Sequence, residues 1–281
     1  TIFAQKGCDR IMNDLIKKFE SDIIKKYRKE VWSKFIKAIK KYNLVEEGDK
    51  IAIAMSGGKD SLLLAKLFQE LMKHPHMTFE IEFISMDPGF SKDNLEMHFE
   101  NAKKLGVPLN IECSDIFKIV EKISNDYPCY MCARMRRGFL YNMAKERGCN
   151  KLALGHHFDD VIETSLMNMF YAGTIKTMLP KFPSENFEGI ELIRPMYMIK
   201  EQSIIDLMND NDIVTMDCGC EIKVCSTSSK RQEVKKLIKQ LKLTSVDVDK
   251  NIFRALENVD LDGVVSYSQN SKKFNRYEEE E

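Results

Sequence analysis

The sequence predicts an α/β fold: a doubly wound parallel sheet with an N-terminal helix before it and a C-terminal helical extension after it. Short apolar strand candidates alternate with helical stretches from residue 50 to residue 209, the pattern of βαβ units. A loop rich in Gly and Ser, Ser56–Ser61, joins a buried strand to a helix. The 281 residues, 43% hydrophobic and 31% charged, suffice for one large domain with small extensions, and no run of eighteen apolar residues is present to span a membrane.

The elements follow in order. Ile11, Leu15, Phe19, Ile23, Tyr27, Val31, Phe35 and Ile39 recur every four positions, which predicts a long amphipathic helix, broken once and closed by Gly48-Asp49. Lys50–Met55 reads as a buried strand and Ser61–Met72 as a Leu-rich helix. Strands at Phe79–Met86, Pro108–Glu112 and Lys151–Leu154 alternate with helices at Lys92–Leu105, Ile116–Ser124, Ala133–Arg147 and Asp159–Tyr171. Gly189–Arg194 is a fifth strand, followed by a helix at Lys200–Asn209. Thr174–Glu188 is the longest stretch without a pattern and reads as a surface excursion near the site. Beyond it come a cysteine cluster, a basic helix at Ser229–Lys242, a short helix at Asp247–Asn258 and a polar tail. The expected organisation is an N-terminal helical segment (1–47), an α/β domain (48–215) and a C-terminal extension (216–281).

Net charge is zero, yet residues 9–41 carry eleven Lys/Arg against five Asp/Glu, and residues 229–242 carry six against one. Such local basic surfaces suit a polyanion, or are solvated helix faces. Thr1–Lys6 lacks a basic-then-apolar export pattern, so a cytoplasmic location is expected, with no membrane partner. In that setting the eight cysteines read as reduced thiols, metal ligands or catalytic groups rather than disulfides.

In Ser56-Gly57-Gly58-Lys59-Asp60-Ser61 the two glycines allow positive φ and close backbone approach, so successive N–H groups can face an anion. The following helix N-terminus adds its dipole, the serines add hydroxyls and Lys59 a charge. Cys129-Tyr-Met-Cys132 is a C-x-x-C at a helix start, able to grip a metal or cluster with further ligands from Cys218, Cys220 or Cys225; a redox dithiol is the rival reading. Cys113 and Cys149 read as buried structural thiols. Asp159 and Asp160 open a helix after a strand: Asp160 suits Mg²⁺ or a proton, and Asp159 suits a cap.

The hexapeptide Ser56–Ser61 resembles the PP-loop of the ATP pyrophosphatase family, the adenine nucleotide α-hydrolase-like fold. That resemblance implies cleavage of ATP between its α- and β-phosphates, to adenylate an oxygen and make it a leaving group. It also implies that Ala54, Met55 and the strand end at Phe83–Met86 line the adenosine pocket, with Asp87 near the ribose or substrate. The run from Pro128 to Tyr141, the segment Gly155–Thr164 and Cys225–Gln232 are similar to the tRNA 2-thiolation branch of that family, so the likeness spans roughly residues 48 to 242.

By that likeness Cys129, Cys132 and Cys225 hold a [4Fe–4S] cluster with one iron open. A closed zinc site completed by Cys218 or Cys220 is the alternative. Gly155 and His156 would contact ATP, and Arg136 would supply electrostatic stabilisation, since an arginine cannot act as a base. Lys59, Asp60, Asp160 and Arg136 are therefore the expected catalytic set, with ATP and Mg²⁺ bound. The implied partners are tRNA and a sulfur donor, either a cysteine desulfurase or sulfide, and a homodimer is admitted. The absence of an N-terminal C-x-x-C pair favours the members that make 2-thiocytidine in the anticodon loop over uridine thiolases. Another PP-loop ligase and a non-catalytic nucleotide or redox sensor are the competing readings.

Overall fold

The computed structural model describes residues 2–74, 77–117, 119, 128–184, 186–215 and 226–277. Side chains are described from residue 12 in the first helix, from 131 in the helix that begins at 128 and from 230 in the helix that begins at 226. Cys8, Cys218, Cys220, Cys225 and the Cys129 thiol lie outside the described residues.

The chain begins with α1 (Ile2–Ser21), two π-helical turns (Asp22–Lys26 and Arg28–Trp32) and α2 (Ser33–Tyr42). The π turns have a direct origin in the four-residue repeat. On a regular α-helix a strict period of four overshoots 3.6 by about 40° per repeat, so the apolar stripe would wind away from the core. The wider turns, marked by the Tyr27 N–H bond to Asp22 O (2.8 Å), absorb the excess. Phe19, Ile23, Val31 and Phe35 are thereby all fully buried, while Leu15, before the correction, is exposed.

The sheet is built from β1 (Lys50–Met55), β2 (Glu80–Asp87), β3 (Ile111–Cys113), β4 (Lys151–Ala153), β5 (Lys181–Pro183) and β6 (Glu191–Ile193). Its order is β3-β2-β1-β4-β6-β5, parallel except for the antiparallel edge strand β5. Helices α3 (Lys59–Met72), α4 (Lys92–Lys104), α5 (Pro128–Glu146), α6 (Phe158–Ala172) and α7 (Glu201–Asn209) cover it, so the expected α/β architecture is present. β2 and β3 lie on one side of β1, and β4 and β6 on the other. A crevice therefore opens at the carboxyl ends of β1 and β4, where the strand order reverses.

Two faces bury different helices. Ile51 and Ile53 pack with Leu62, Leu64 and Phe68 of α3 and with Phe19, Ile23 and Phe35. Ala52, Ile84 and Leu152 pack with Tyr141, Met143 and Ala144 of α5. The C-terminal helices α8 (Ser226–Thr244) and α9 (Val248–Glu257) dock Val234, Ile238 and Phe253 on Phe158, Val161 and Ile162 of α6.

The structure departs from the sequence expectation in several places. α5 starts at Pro128 rather than Ala133. The patternless excursion contains β5, too short at three residues to show a period. The polar tail forms a hairpin, β7 (Ser266–Gln269) and β8 (Lys272–Asn275), closed by Asn270 and Ser271 at positive φ. Cys113 is exposed because β3 is the edge strand beyond β2, whereas Cys149 is buried and its thiol is pushed up to about 11 by that burial. No helix among the described residues is long and apolar enough to cross a membrane.

Two buried cations tie the helices to this frame. Lys151 on β4 meets Glu46 and Asp49 at 2.7 Å each, and Lys66 on α3 meets Glu20 of α1 at 2.8 Å and Leu105 O at 3.0 Å. Replacing Glu20 by Ala is expected to cost about 3 kcal/mol, because Lys66 is left buried without its anion. Pairing Glu20→Leu with Lys66→Met should recover most of that loss. Urea unfolding midpoints at constant m-value read both changes.

Candidate active site

β1 ends at Met55 and the chain turns through Gly57 at φ 81°, a conformation only glycine adopts at low cost. Gly58, by contrast, is extended (φ −79°, ψ 162°) and caps α3, so only the first of the two glycines uses the left-handed region. Ser61 folds back to brace the loop. Its Oγ donates to Gly58 O (2.9 Å) and accepts from Ser56 N (3.1 Å). The first-turn N–H groups of α3 have no intrahelical acceptors, which makes the loop an anion cradle.

The β4–α6 turn presses on this loop. A Cβ on Gly155 would lie 3.1 to 3.3 Å from the backbone and Cβ of Asp60, so the two turns touch with no side chain between them. His157 then caps α6 in a capping box: Asp160 N donates to His157 Nδ1 (3.4 Å) and His157 N donates to Asp160 Oδ2 (3.0 Å). The cap is thus a histidine, not Asp159. Asp159 instead accepts from Glu201 N (2.7 Å) and caps the start of α7.

A cleft of about 370 Å³ opens over these turns. Ala54, Met55, Ser56, Asp60, Ser61, Arg136, Gly155, His156 and Asp160 line it, joined by Met86, Phe90, Arg137 and Leu140. Most of the expected site residues thus converge on one cavity, of the size of a small-ligand pocket. Asp87 does not line it. Its carboxylate accepts from Gly89 N (2.8 Å) and Phe90 N (2.6 Å), shaping the turn that presents Phe90. Phe83 also lies outside the cleft, which Met86 alone borders from the expected strand end. Cys132 is buried against Met86 and Ile116, one residue before cleft-lining Ala133, and Cys129 stands three positions earlier on the same helix.

The charges are set by neighbours. Burial pushes the Asp60 carboxyl up, offset in part by His157 and Lys59, and its Oδ1 is buried without a hydrogen-bond partner. Burial also opposes the Asp160 carboxylate, but His157, His156 and Arg231 hold it below its ordinary value. His156 is pushed down to about 4 by burial and then by Arg194, and its buried Nδ1 has no partner. Lys59 stays charged despite burial, because Asp60 and Glu201 lie 3.2 Å from its Nζ.

Several site residues escaped sequence reasoning because they come from the far end of the chain. Arg231 on α8 reaches Asp160 Oδ1 (3.2 Å), Thr164 Oγ1 (3.2 Å) and Glu163 Oε2 (3.6 Å). Lys235, one turn on, pairs with Glu201, the anion that holds Lys59. The basic helix expected to face a polyanion therefore turns two of its cations inward. Only the i, i+4 spacing of Arg231 and Lys235 hints at this, and nothing in the sequence names their partners.

Glu163 is buried, which pushes its carboxyl up to about 7, with Arg231 opposing the shift. A carboxyl raised from an unfolded value of 4.5 stabilises the fold fully below that pH and loses the contribution as pH rises through about 7. Glu163→Gln is therefore expected to flatten the fall in stability between pH 5 and pH 8 by up to about 3 kcal/mol, read by urea unfolding at both pH values. Gly155→Ala should destabilise by about 1–3 kcal/mol at all pH values, since the added methyl must displace the Asp60 backbone.

Comparison with known proteins adds three findings. A PP-loop domain model matches residues 28–216. The tRNA-cytidine(32) 2-sulfurtransferase of Geobacter metallireducens is 37% identical over 230 residues, covering 79% of this chain and 87% of that protein. The protein of the same name from Geotalea uraniireducens is 40% identical over 230 residues, covering 79% and 88%. Among solved structures, the U34-tRNA thiolase NcsA from Methanococcus maripaludis, determined with its [4Fe–4S] cluster, superposes with a TM-score of 0.62 at 24% identity, covering 82% of this chain and 80% of that one. At that identity the likeness speaks for the fold.

Proposed function

This chain belongs to the PP-loop family, in its tRNA 2-thiolation branch, and from that premise we propose that it adenylates the C2 oxygen of a tRNA cytidine and exchanges that oxygen for sulfur. The observation that carries the reading is a single cleft bordered at once by Ser56 and Ser61 of the cradle and by the Asp60 and Asp160 carboxylates, with Cys132 packed behind its wall against cleft-lining Met86. The curated relatives named above, which act on cytidine 32 of tRNA, favour cytidine in the anticodon loop.

ATP fits the residues present. The first-turn N–H groups of α3 and the Ser56 hydroxyl take the phosphates that leave as pyrophosphate, with Ser61 bracing the loop, and the apolar wall of Ala54, Met55 and Met86 takes the adenine. The orphaned Asp60 Oδ1 suits a Mg²⁺ ligand, with Asp160 on the opposite turn. His156, neutral and with its buried Nδ1 unpartnered, offers that nitrogen for a hydrogen bond to the nucleotide or the base. Arg136 and Arg137 offset the negative charge that develops at the α-phosphate. The C2 oxygen attacks that phosphorus and the bond to pyrophosphate breaks. Sulfur at the oxidation level of sulfide then adds to C2, and AMP leaves with the oxygen.

Cys132, buried beside the cleft wall, fits a ligand of a [4Fe–4S] cluster completed by Cys129 and Cys225. Three protein thiolates would leave one iron open, and the cluster would supply a place for inorganic sulfur there. The base must leave its stack to reach the cleft, which is cheapest in a single-stranded loop. In this reading residues 48–215 bind ATP, residues 1–47 brace them from the core side, and residues 216–281 bring the third cysteine and the Arg231–Lys235 pair to the site. The sulfur donor is free sulfide, or a cysteine desulfurase whose persulfide sulfur is brought to the sulfide level by two electrons from a thiol reductant.

Protein purified without oxygen is expected to be brown and to contain iron and sulfide. With tRNA, Mg·ATP and sulfide it should release pyrophosphate and yield 2-thiocytidine by nucleoside mass analysis. Cys132→Ser should abolish the product at unchanged ATP affinity. A colourless protein with stoichiometric zinc after anaerobic reconstitution would sink the cluster, and pyrophosphate release indifferent to tRNA would sink the substrate.

A further inference from the structure

At the end of α6 the chain turns through Gly173 (φ 61°) into the excursion that leads to β5. Met169, Phe170, Tyr171, Ile175 and Leu179 on this stretch are 45% to 66% exposed, an unusual density of large apolar side chains on one surface segment. The segment is nevertheless tied down. Thr174 N donates to Asn168 O (3.1 Å), Asn168 Nδ2 donates to Lys176 O (2.7 Å), and the Ser165 and Thr177 hydroxyls are hydrogen-bonded at 2.8 Å. Arg194, buried and stacked on Phe182, donates from its guanidinium to Leu179 O and from its N–H to Pro180 O (2.8 Å). Ordering a loop costs conformational entropy, and here the ordered loop displays Ile175 and Leu179 to solvent beside the Phe170 and Tyr171 rings of the last turn of α6.

We propose that this strip is the docking surface for the single-stranded loop of the RNA substrate, its rings stacking on the bases that flank the one drawn into the cleft. The proposal rests on the tRNA reading above and adds the surface. Three observations favour RNA as the occupant. Residues 169–181 contain no carboxylate and offer Lys176, while their other cation, Lys181, is paired with Glu46 and Glu191. Lys230 of α8 sits 4.9 Å from the Tyr171 ring centroid, so a cation and an aromatic face are offered together, as single-stranded nucleic acid requires. The strip and the cleft share two elements: α6 carries Asp160 in its first turn and the rings in its last, about 15 Å apart along the axis, and the excursion ends on Arg194, whose charge acts on His156. The Tyr171 hydroxyl donates to the Glu233 carboxylate (2.8 Å), which fixes the ring at the edge of the strip. A second copy of the chain fits less well, because a two-fold contact over the strip would bring together two patches that both carry Lys176 and Lys230.

The test uses the cluster-loaded full chain, a fluorescent RNA stem-loop with an unpaired cytidine, and a fully paired duplex of equal length. Phe170→Ala with Tyr171→Ala should weaken stem-loop binding about ten-fold or more and leave duplex and ATP affinity unchanged. Lys176→Ala should lower the salt slope of stem-loop binding by about one. Ile175→Glu, which keeps both rings and adds a charge, should weaken binding as well, so a folding defect in one variant does not decide the matter. Unchanged stem-loop affinity in the aromatic and Ile175 variants overturns the surface while the tRNA reading stands. A fall in affinity that appears only together with a change in sedimentation coefficient overturns it in favour of a contact between copies. A wild-type protein that binds neither RNA fails the tRNA reading itself.

Discussion

The contact between Gly155 and the Asp60 backbone is the constraint from which the site follows. The two turns belong to neighbouring central strands, β1 and β4, at the point where the sheet reverses its order. Because glycine puts nothing between them, the first turns of α3 and α6 converge, and two carboxylates, one histidine and an anion cradle share one cleft. A side chain at 155 would separate Asp60 from Asp160 and open the cleft at its floor. The wall behind is equally fixed: Ser85 Oγ donates to Met55 O (2.8 Å) and accepts from His98 Nε2 (2.9 Å), so α4 holds the ends of β1 and β2 together. Burial keeps His98 neutral, pushed down to about 4, which leaves its Nε2 proton for Ser85.

The last long helix is as much a part of the site as the loop. Arg231 and Lys235 fasten α8 to Asp160, Glu163 and Glu201, and Glu201 in turn holds Lys59. These side chains are partly solvated, so such pairs add little to stability one by one. Their effect is positional. They set the carboxylate and the ammonium that face the nucleotide cradle, and they do so from a helix that begins one residue after Cys225.

The balance of charge explains how one narrow cavity serves an anionic substrate. Asp60 is pushed up by burial while Asp160 is held down by histidines and Arg231, so the two carboxyls do not titrate alike. His156 stays neutral among arginines, an acceptor amid donors. The aromatic rings in the last turn of α6 are exposed, and the excursion that follows them is tied to Arg194 at Leu179 and Pro180.

Local chemistry was enough to reveal the parts whose meaning is local. The strand–loop–helix at 50–61, the apolar repeat of the first helices and the C-x-x-C at Cys129 and Cys132 are short-range patterns, because backbone conformation and helix faces depend on nearby residues. The repeat even foretold a break, since a period of four cannot follow a regular helix. Tertiary structure alone decided which of two glycines is strained, that His157 caps α6, that Asp87 serves its own turn, and that three-residue β5 pairs with β6. It alone brought Arg231 and Lys235 across some seventy and thirty-four residues of chain to their anions. Those pairings depend on how helices dock over the sheet, and a salt bridge between distant segments leaves no periodic trace in the sequence.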